Sequence, residues 1–193
     1  KYTEVIMMKI NMKATDFKAV GFYDNNFSDF NLEKAKGKFL VLFFYPADFT
    51  FVCPTELEDL ANKYEELQEL GAQVYSVSTD THFVHKAWCD ESPSIKKIKF
   101  PMLGDPTHNM AKAYGVLREE EGVSDRATFI IDPDGVIKAI EVSDEPIGRS
   151  ANELLRKIKA LKFAREHPGL ACPANWEPGK ETLKPGIDLV GKL

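Results

Sequence analysis

The chain has 193 residues, a formal net charge of −5 and a sequence pI near 5.5, with 44% hydrophobic and 28% charged residues. That length suits one main domain with a substantial core, and the composition is that of an ordinary folded soluble protein, not a disordered or fibrous one. The acidic balance argues against a nucleic-acid surface, because the longest basic cluster, Lys96, Lys97 and Lys99, is small and reads as a solvated face.

The opening stretch KYTEVIMMKI holds a short apolar run between Glu4 and Lys9, too short for the hydrophobic region of a signal peptide. No run approaches the roughly 20 apolar residues of a membrane span. A cytoplasmic location without membrane association is the expectation. Three cysteines, Cys53, Cys89 and Cys172, are too few for a secreted disulfide framework and form no C-x-x-C pair. Reactive or buried thiols are expected instead.

FLVLFFY, from Phe39 to Tyr45, is continuously apolar and predicts a strand buried on both faces of a sheet. It ends at Pro46. A loop follows, then CPTELEDLANKYEELQELG, where Leu57, Leu60, Tyr64 and Leu67 recur at helical spacing before Gly71. AQVYSVST returns as a second strand, so the unit is a parallel crossover of right-handed connection. A helix near Phe83 to Asp90, a short strand at FPMLGD and a helix capped by Thr107 come next. ATFIIDPDGVIKAIEV predicts a hairpin turning at Asp132 to Gly135, and Ser150 with Glu153 has capping-box spacing ahead of a helix presenting Leu154, Ile158 and Leu161. Beyond His167, Pro168, Gly169, Pro173, Pro178, Gly179, Pro185 and Gly186 interrupt every periodicity. The chain thus divides into a main domain over 1–166 and an arm over 167–193. The arm carries Cys172 and must be ordered by packing on something else, such as another subunit.

A nucleophilic cysteine needs surroundings that favour its thiolate. Cys53 sits where the loop after a central strand enters a helix, and unpaired N–H groups and the positive end of the helix dipole favour an anion there. Pro54 leaves two arrangements open: Cys53 as the cap, or a helix starting near Thr50 with a weakened first turn. Both make local unfolding of that turn cheap. On position alone, a small buried hydrophobe explains Cys53 as well as a reactive thiol does.

FFYPADFTFVCPTE, from Phe43 to Glu56, resembles the active-site segment of the typical 2-Cys peroxiredoxins, nearest to the alkyl hydroperoxide reductase C type. The likeness extends through VYSVSTDTHFVHKAW, GDPTHNMAKAYGV, DRATFIIDPDG and HPGLACPANW, most of the chain from about Leu40 onward. It implies a thioredoxin-like three-layer α/β fold with a central mixed sheet and an extended C-terminal arm. It also implies a peroxidase of hydrogen peroxide and organic hydroperoxides with Cys53 as the peroxidatic thiol, Thr50 hydrogen-bonding the peroxide and Pro46 shielding the pocket. Arg126 matches the family's active-site arginine, and Glu56 and Arg149 match a supporting pair in which the carboxylate orients arginine. Cys172 matches the resolving cysteine, which closes a disulfide with Cys53 of the partner subunit. The resemblance implies a homodimer that assembles to a decamer, recycled by a flavoprotein disulfide reductase or by thioredoxin, with no metal or organic cofactor.

Two features fall outside that pattern. His82, His85 and Cys89 are spaced to share a helical face, which a metal site or plain packing would explain equally well. The glycine-pair insertion and terminal Tyr-Phe helix of overoxidation-sensitive members are missing, so the resemblance points to the robust type. Other activities remain open at this level. A general disulfide oxidoreductase would exchange disulfides without peroxide, and an oligomeric holdase or redox relay would bind clients even as Cys53→Ser.

Overall fold

The computed structural model describes residues 8–192; the start of KYTEVIMMKI and the last residue of the arm lie outside them. Nine strands and five α-helices are formed in this range: β1 Lys18–Tyr23, β2 Asn26–Asn31, β3 Phe39–Phe44, α1 Cys53–Asn62, α2 Tyr64–Glu69, β4 Ala72–Ser78, α3 His82–Glu91, β5 Met102–Gly104, α4 Asn109–Ala113, β6 Leu117–Arg118, β7 Val123–Ser124, β8 Arg126–Ile131, β9 Ile137–Ser143 and α5 Ala151–Glu166. Seven of the strands make one mixed sheet in the order β2-β1-β5-β4-β3-β8-β9, with β3, β4 and β5 parallel and the others antiparallel to their neighbours.

β3 is central and explains why its sequence is apolar throughout. Alternate residues of a strand face opposite sides. Phe39, Val41 and Phe43 therefore join Leu57, Leu60, Leu67, Leu154 and Ile158 under α1, α2 and α5, while Leu40, Leu42 and Phe44 join Tyr75, Met110, Tyr114 and Phe129 on the other face. Layers on both faces of a mixed sheet are the thioredoxin-like arrangement that the resemblance implies.

Local chemistry changes several expectations. The segment after Cys53 is two helices, because the chain leaves helical geometry at Lys63, with φ −105° and ψ 2°. Leu57, Leu60, Tyr64 and Leu67 nevertheless all reach the core. Thr107 does not cap α4: His108 holds that position in a left-handed conformation, and the Asp105 carboxylate accepts the N–H groups of Met110 and Ala111 at 3.1 and 2.8 Å. Ser150 accepts the Glu153 N–H at 3.4 Å, but Glu153 turns its own carboxylate to Arg156, so only half of the capping box forms.

The hairpin of β8 and β9 turns where the Asp-Pro-Asp-Gly run predicts. A second hairpin, β1 with β2, turns at Asp24 and Asn25, both at positive φ (49° and 56°) as short asparagine and aspartate turns allow. The arm after α5 is irregular apart from a bridge between Ala171 and Leu183 and a 3-10 turn at Ile187–Leu189. It packs on α5 of its own subunit, where Trp176 is buried with its ring centroid 4.7 Å from that of Phe163.

Candidate active site

β3 delivers the chain to the end of the sheet, and Tyr45 and Pro46 are buried as it leaves. Open parallel sheets present ligands at this end of their strands. The loop turns sharply at Phe49, which adopts φ 55°, and the Thr50 hydroxyl donates to the Ala47 carbonyl oxygen at 2.8 Å. α1 begins at Cys53 with Val52 in the cap position, so neither a cap at Cys53 nor a helix from Thr50 is realised. The N–H groups of Thr55 and Glu56 both return to the Val52 carbonyl, and Pro54 has none to offer. The Thr55 and Glu56 N–H groups are therefore engaged within the turn itself.

The donor that reaches the sulfur comes from the neighbouring strand. Arg126, the first residue of β8, is almost fully buried and points Nη1 at Cys53 Sγ, 3.2 Å away. The same nitrogen donates to Glu56 Oε2 at 2.8 Å, and Nε donates to the Glu145 carbonyl at 2.6 Å. Burial works against the charge of this guanidinium, but the hydrogen bond and charge of Cys53, joined by Glu56, outweigh it and hold Arg126 above its ordinary pKa.

Glu56 lies one turn along α1 from Cys53 and is 2% exposed. Its Oε1 accepts both the backbone N–H and Nε of Arg149 at 2.8 Å, and its Oε2 accepts Arg149 Nη2 at 3.2 Å. Arg149 also donates to Thr128 Oγ1 at 3.1 Å and lies over the Phe43 ring, 3.5 Å from its centroid. Burial depresses its pKa, opposed by Glu56. A buried carboxylate between two guanidinium groups leaves the cluster with one excess positive charge, and that charge faces Cys53.

Cys172 is half-buried on the arm, its thiol 3.8 Å from the Ala160 carbonyl of α5, and burial raises its pKa. Arg149 and Ala151 mark the opposite end of that helix. At about 1.5 Å rise per residue, Ala160 lies roughly 14 Å further along the axis than Ala151. Seven expected site residues thus separate into two places. Cys53, Glu56, Arg126 and Arg149 form one hydrogen-bonded cluster, with Pro46 and Thr50 on the loop that leads into it; Cys172 stands apart.

His82, His85 and Cys89 do not form a metal site. The His82 ring packs against Phe27 and Phe83, both His85 nitrogens are engaged by Asp48 and Leu103, and Cys89 meets Ile95 and Met102. Among the described residues no group of three or more His, Cys, Asp or Glu side chains could hold a metal ion. Nor is any described helix long and apolar enough to cross a membrane. Asp48 and His85 are the buried polar pair that sequence reasoning missed. The only cue was two polar residues flanking apolar runs, too weak a signal to pair them.

Comparison with known proteins decides the family. The pattern of the AhpC/TSA family matches residues 10–140, and that of the C-terminal domain of 1-Cys peroxiredoxin matches residues 160–189. The chain belongs to the AhpC/TSA family. This peroxiredoxin is 55% identical to alkyl hydroperoxide reductase C of Salmonella typhimurium over 187 residues, covering 97% of the chain and 100% of the relative. The Escherichia coli protein of the same name is 54% identical over the same span. Among solved structures, Enterococcus faecalis AhpC matches with a TM-score of 0.82 at 50% identity, over 85% of the chain and 98% of that structure. A reduced 2-Cys peroxiredoxin of Plasmodium vivax matches with a TM-score of 0.87 at 37% identity, over 93% and 94%. The activity that comes with the family is cysteine-dependent peroxide reduction, so this chain is an enzyme of the peroxiredoxin class.

Proposed function

We propose that Cys53 is the peroxidatic cysteine, reducing hydrogen peroxide and organic hydroperoxides, and that Cys172 of the partner subunit resolves the sulfenic acid it forms. The observation that carries this reading is the 3.2 Å contact between Arg126 Nη1 and Cys53 Sγ, backed by the excess positive charge of the Arg126, Glu56 and Arg149 cluster. The guanidinium is fixed where it meets the sulfur that attacks the peroxide.

The thiolate attacks one peroxide oxygen, the O–O bond breaks, and the electron pair leaves with the second oxygen as alkoxide or hydroxide. That oxygen takes a proton and departs as alcohol or water, while Cys53 retains S–OH. Arg126 is positioned to stabilise the charge moving onto the leaving oxygen. Thr50 spends its hydrogen on Ala47, so its oxygen is free to accept one from the peroxide. Pro46 shields the pocket behind it.

Attack of the Cys172 thiol on the sulfenic acid then forms the disulfide and releases water. A disulfide needs Cα atoms within roughly 7 Å. Cys172 packs at the far half of α5, which favours a partner subunit's arm over its own. Such a cycle makes the functional unit a homodimer, with residues 167–193 as its exchanging arm; assembly to a decamer and recycling by a flavoprotein disulfide reductase or thioredoxin belong to the same reading. The test uses reduced Cys172→Ser with one equivalent of hydrogen peroxide and dimedone, analysed by peptide mass. An adduct on Cys53 is expected; an adduct confined to Cys89, or none at all, refutes the assignment.

A further inference from the structure

Beside the Cys53 loop lies a second buried polar group that the peroxidase chemistry does not use. His85 projects from α3 with no exposed surface, Nδ1 2.7 Å from Asp48 Oδ2 and Nε2 3.0 Å from the Leu103 carbonyl oxygen. A carbonyl oxygen only accepts, so Nε2 carries a hydrogen, and a contact of 2.7 Å between Nδ1 and a carboxylate oxygen needs a second one between them. The couple therefore holds one proton more than a neutral imidazole beside an ionised carboxylate.

That proton secures a loop. Asp48 accepts the Tyr45 hydroxyl at 2.7 Å through its other oxygen, and its N–H donates to Asp80 Oδ2 at 2.9 Å, which also accepts Ser78 Oγ at 2.8 Å. Next to Asp48, Phe49 is held at φ 55°, a strained conformation for a bulky side chain that persists only when its surroundings over-determine it. Thr50 and Cys53 follow within four residues.

We propose that His85 is a positioning residue for Cys53: its retained proton holds Asp48 and the strained loop behind Thr50, and loss of that proton releases the loop. The role in catalysis rests on the reading of Cys53 as the peroxidatic thiol. Titratable groups facing the couple are Tyr45 at the end of β3, Asp80 beyond β4 and Cys89 one turn on along α3; Lys86 and Asp90 pair with each other on the exposed side of that helix, and β5 contributes the Leu103 carbonyl. Burial opposes the charge of His85, but the hydrogen bond and charge of Asp48 outweigh it and raise its pKa; Asp48 is raised too, by burial first. A folded-state histidine pKa above the unfolded value stabilises fully below about 6.5 and ceases to do so as pH rises through the folded value. Release therefore comes as pH rises above about 6.5.

The test follows reduced, full-length protein without peroxide, by nitrogen-15 NMR of histidine and by hydrogen exchange of the amides from Ala47 to Cys53. Asp48→Asn is the discriminating variant, since its amide can donate to a neutral Nδ1 and still accept from Tyr45, which holds the loop without titrating. The wild type is expected to carry hydrogen on both His85 nitrogens at about pH 7 and to titrate above about 6.5. Its loop exchange, corrected for intrinsic rates, should rise about tenfold as His85 titrates, while Asp48→Asn keeps a flat profile. His85→Ala should exchange fast already at neutral pH. A neutral His85 at about pH 7, or an Asp48→Asn profile with the wild-type rise, overturns the inference even if His85→Ala fails to fold. These readouts contain no peroxide, so they stand or fall apart from the dimedone test of Cys53. In that chemistry, Cys53 oxidation by peroxide should slow about tenfold as His85 titrates in the wild type and not in Asp48→Asn.

Discussion

Glu56 Oε2 accepts a hydrogen bond at 2.8 Å from the same Arg126 nitrogen that meets the Cys53 sulfur at 3.2 Å. One guanidinium is thereby fixed by a carboxylate on the helix that carries the thiol it contacts. Its orientation depends on α1 and β8 remaining packed, which couples the integrity of the first turn of α1 to the environment of Cys53.

Replacement of Arg126 should remove that environment without unfolding the strand. Arg126→Lys supplies a charge but not the planar fork that reaches Cys53, Glu56 and the Glu145 carbonyl together. The rate of Cys53 oxidation by hydrogen peroxide, read by stopped-flow tryptophan fluorescence, should fall about 10²- to 10³-fold in Arg126→Met and by less in Arg126→Lys.

Glu56 bears on stability as well as chemistry. Glu56→Ala leaves Arg126 and Arg149 buried side by side without their shared carboxylate. Breaking a buried ion pair by removing one partner costs about 3–5 kcal/mol, which urea unfolding of the reduced protein will measure. Glu56→Gln keeps one acceptor oxygen and should lose less.

Trp176 is 2% exposed and anchors the arm to α5 through Phe163 and through the hydrogen bond from Arg156 to its carbonyl. Trp176→Ala should detach the arm locally and leave the main core intact. Iodoacetamide labelling of Cys172 should then speed up by about tenfold, with little change in the unfolding midpoint of the domain.

Burial pushes the Cys89 thiol up to about 12. At about pH 8 only on the order of one thiol in ten thousand is then ionised, against roughly a quarter for a free cysteine. Cys89 should label only when the protein unfolds, and Cys89→Ser should keep the peroxide reaction of the wild type. Quantitative mass spectrometry of alkylated peptides at successive urea concentrations checks both.

Elements that obey one rule were legible in the sequence. FLVLFFY is β3 because it has a core on both faces, and the Leu57 to Leu67 spacing marks α1 and α2 even though Lys63 interrupts them. The β1 and β2 hairpin went unread although Asp24 and Asn25 are turn residues that tolerate positive φ. The Asp105 cap went unread because Thr107 offered a plausible local alternative. In the candidate site, Cys53 could be suspected from its place at a strand-to-helix junction. Glu56 meets partners 70 and 93 residues away, and no local periodicity carries such a pairing. Arg126 and Arg149 entered only through family resemblance. His85 entered only beside His82 and Cys89 on a shared helical face, and its pairing with Asp48, 37 residues away, did not enter.

The most direct test of the account treats reduced protein with one equivalent of hydrogen peroxide and separates wild type, Cys53→Ser, Cys89→Ser and Cys172→Ser by non-reducing denaturing electrophoresis. A covalent dimer in the wild type and in Cys89→Ser, and in neither of the other two, is the expected result. A dimer that persists in Cys172→Ser, or a wild type whose disulfide stays within one chain, contradicts the proposed exchange between Cys53 and Cys172 of the partner subunit.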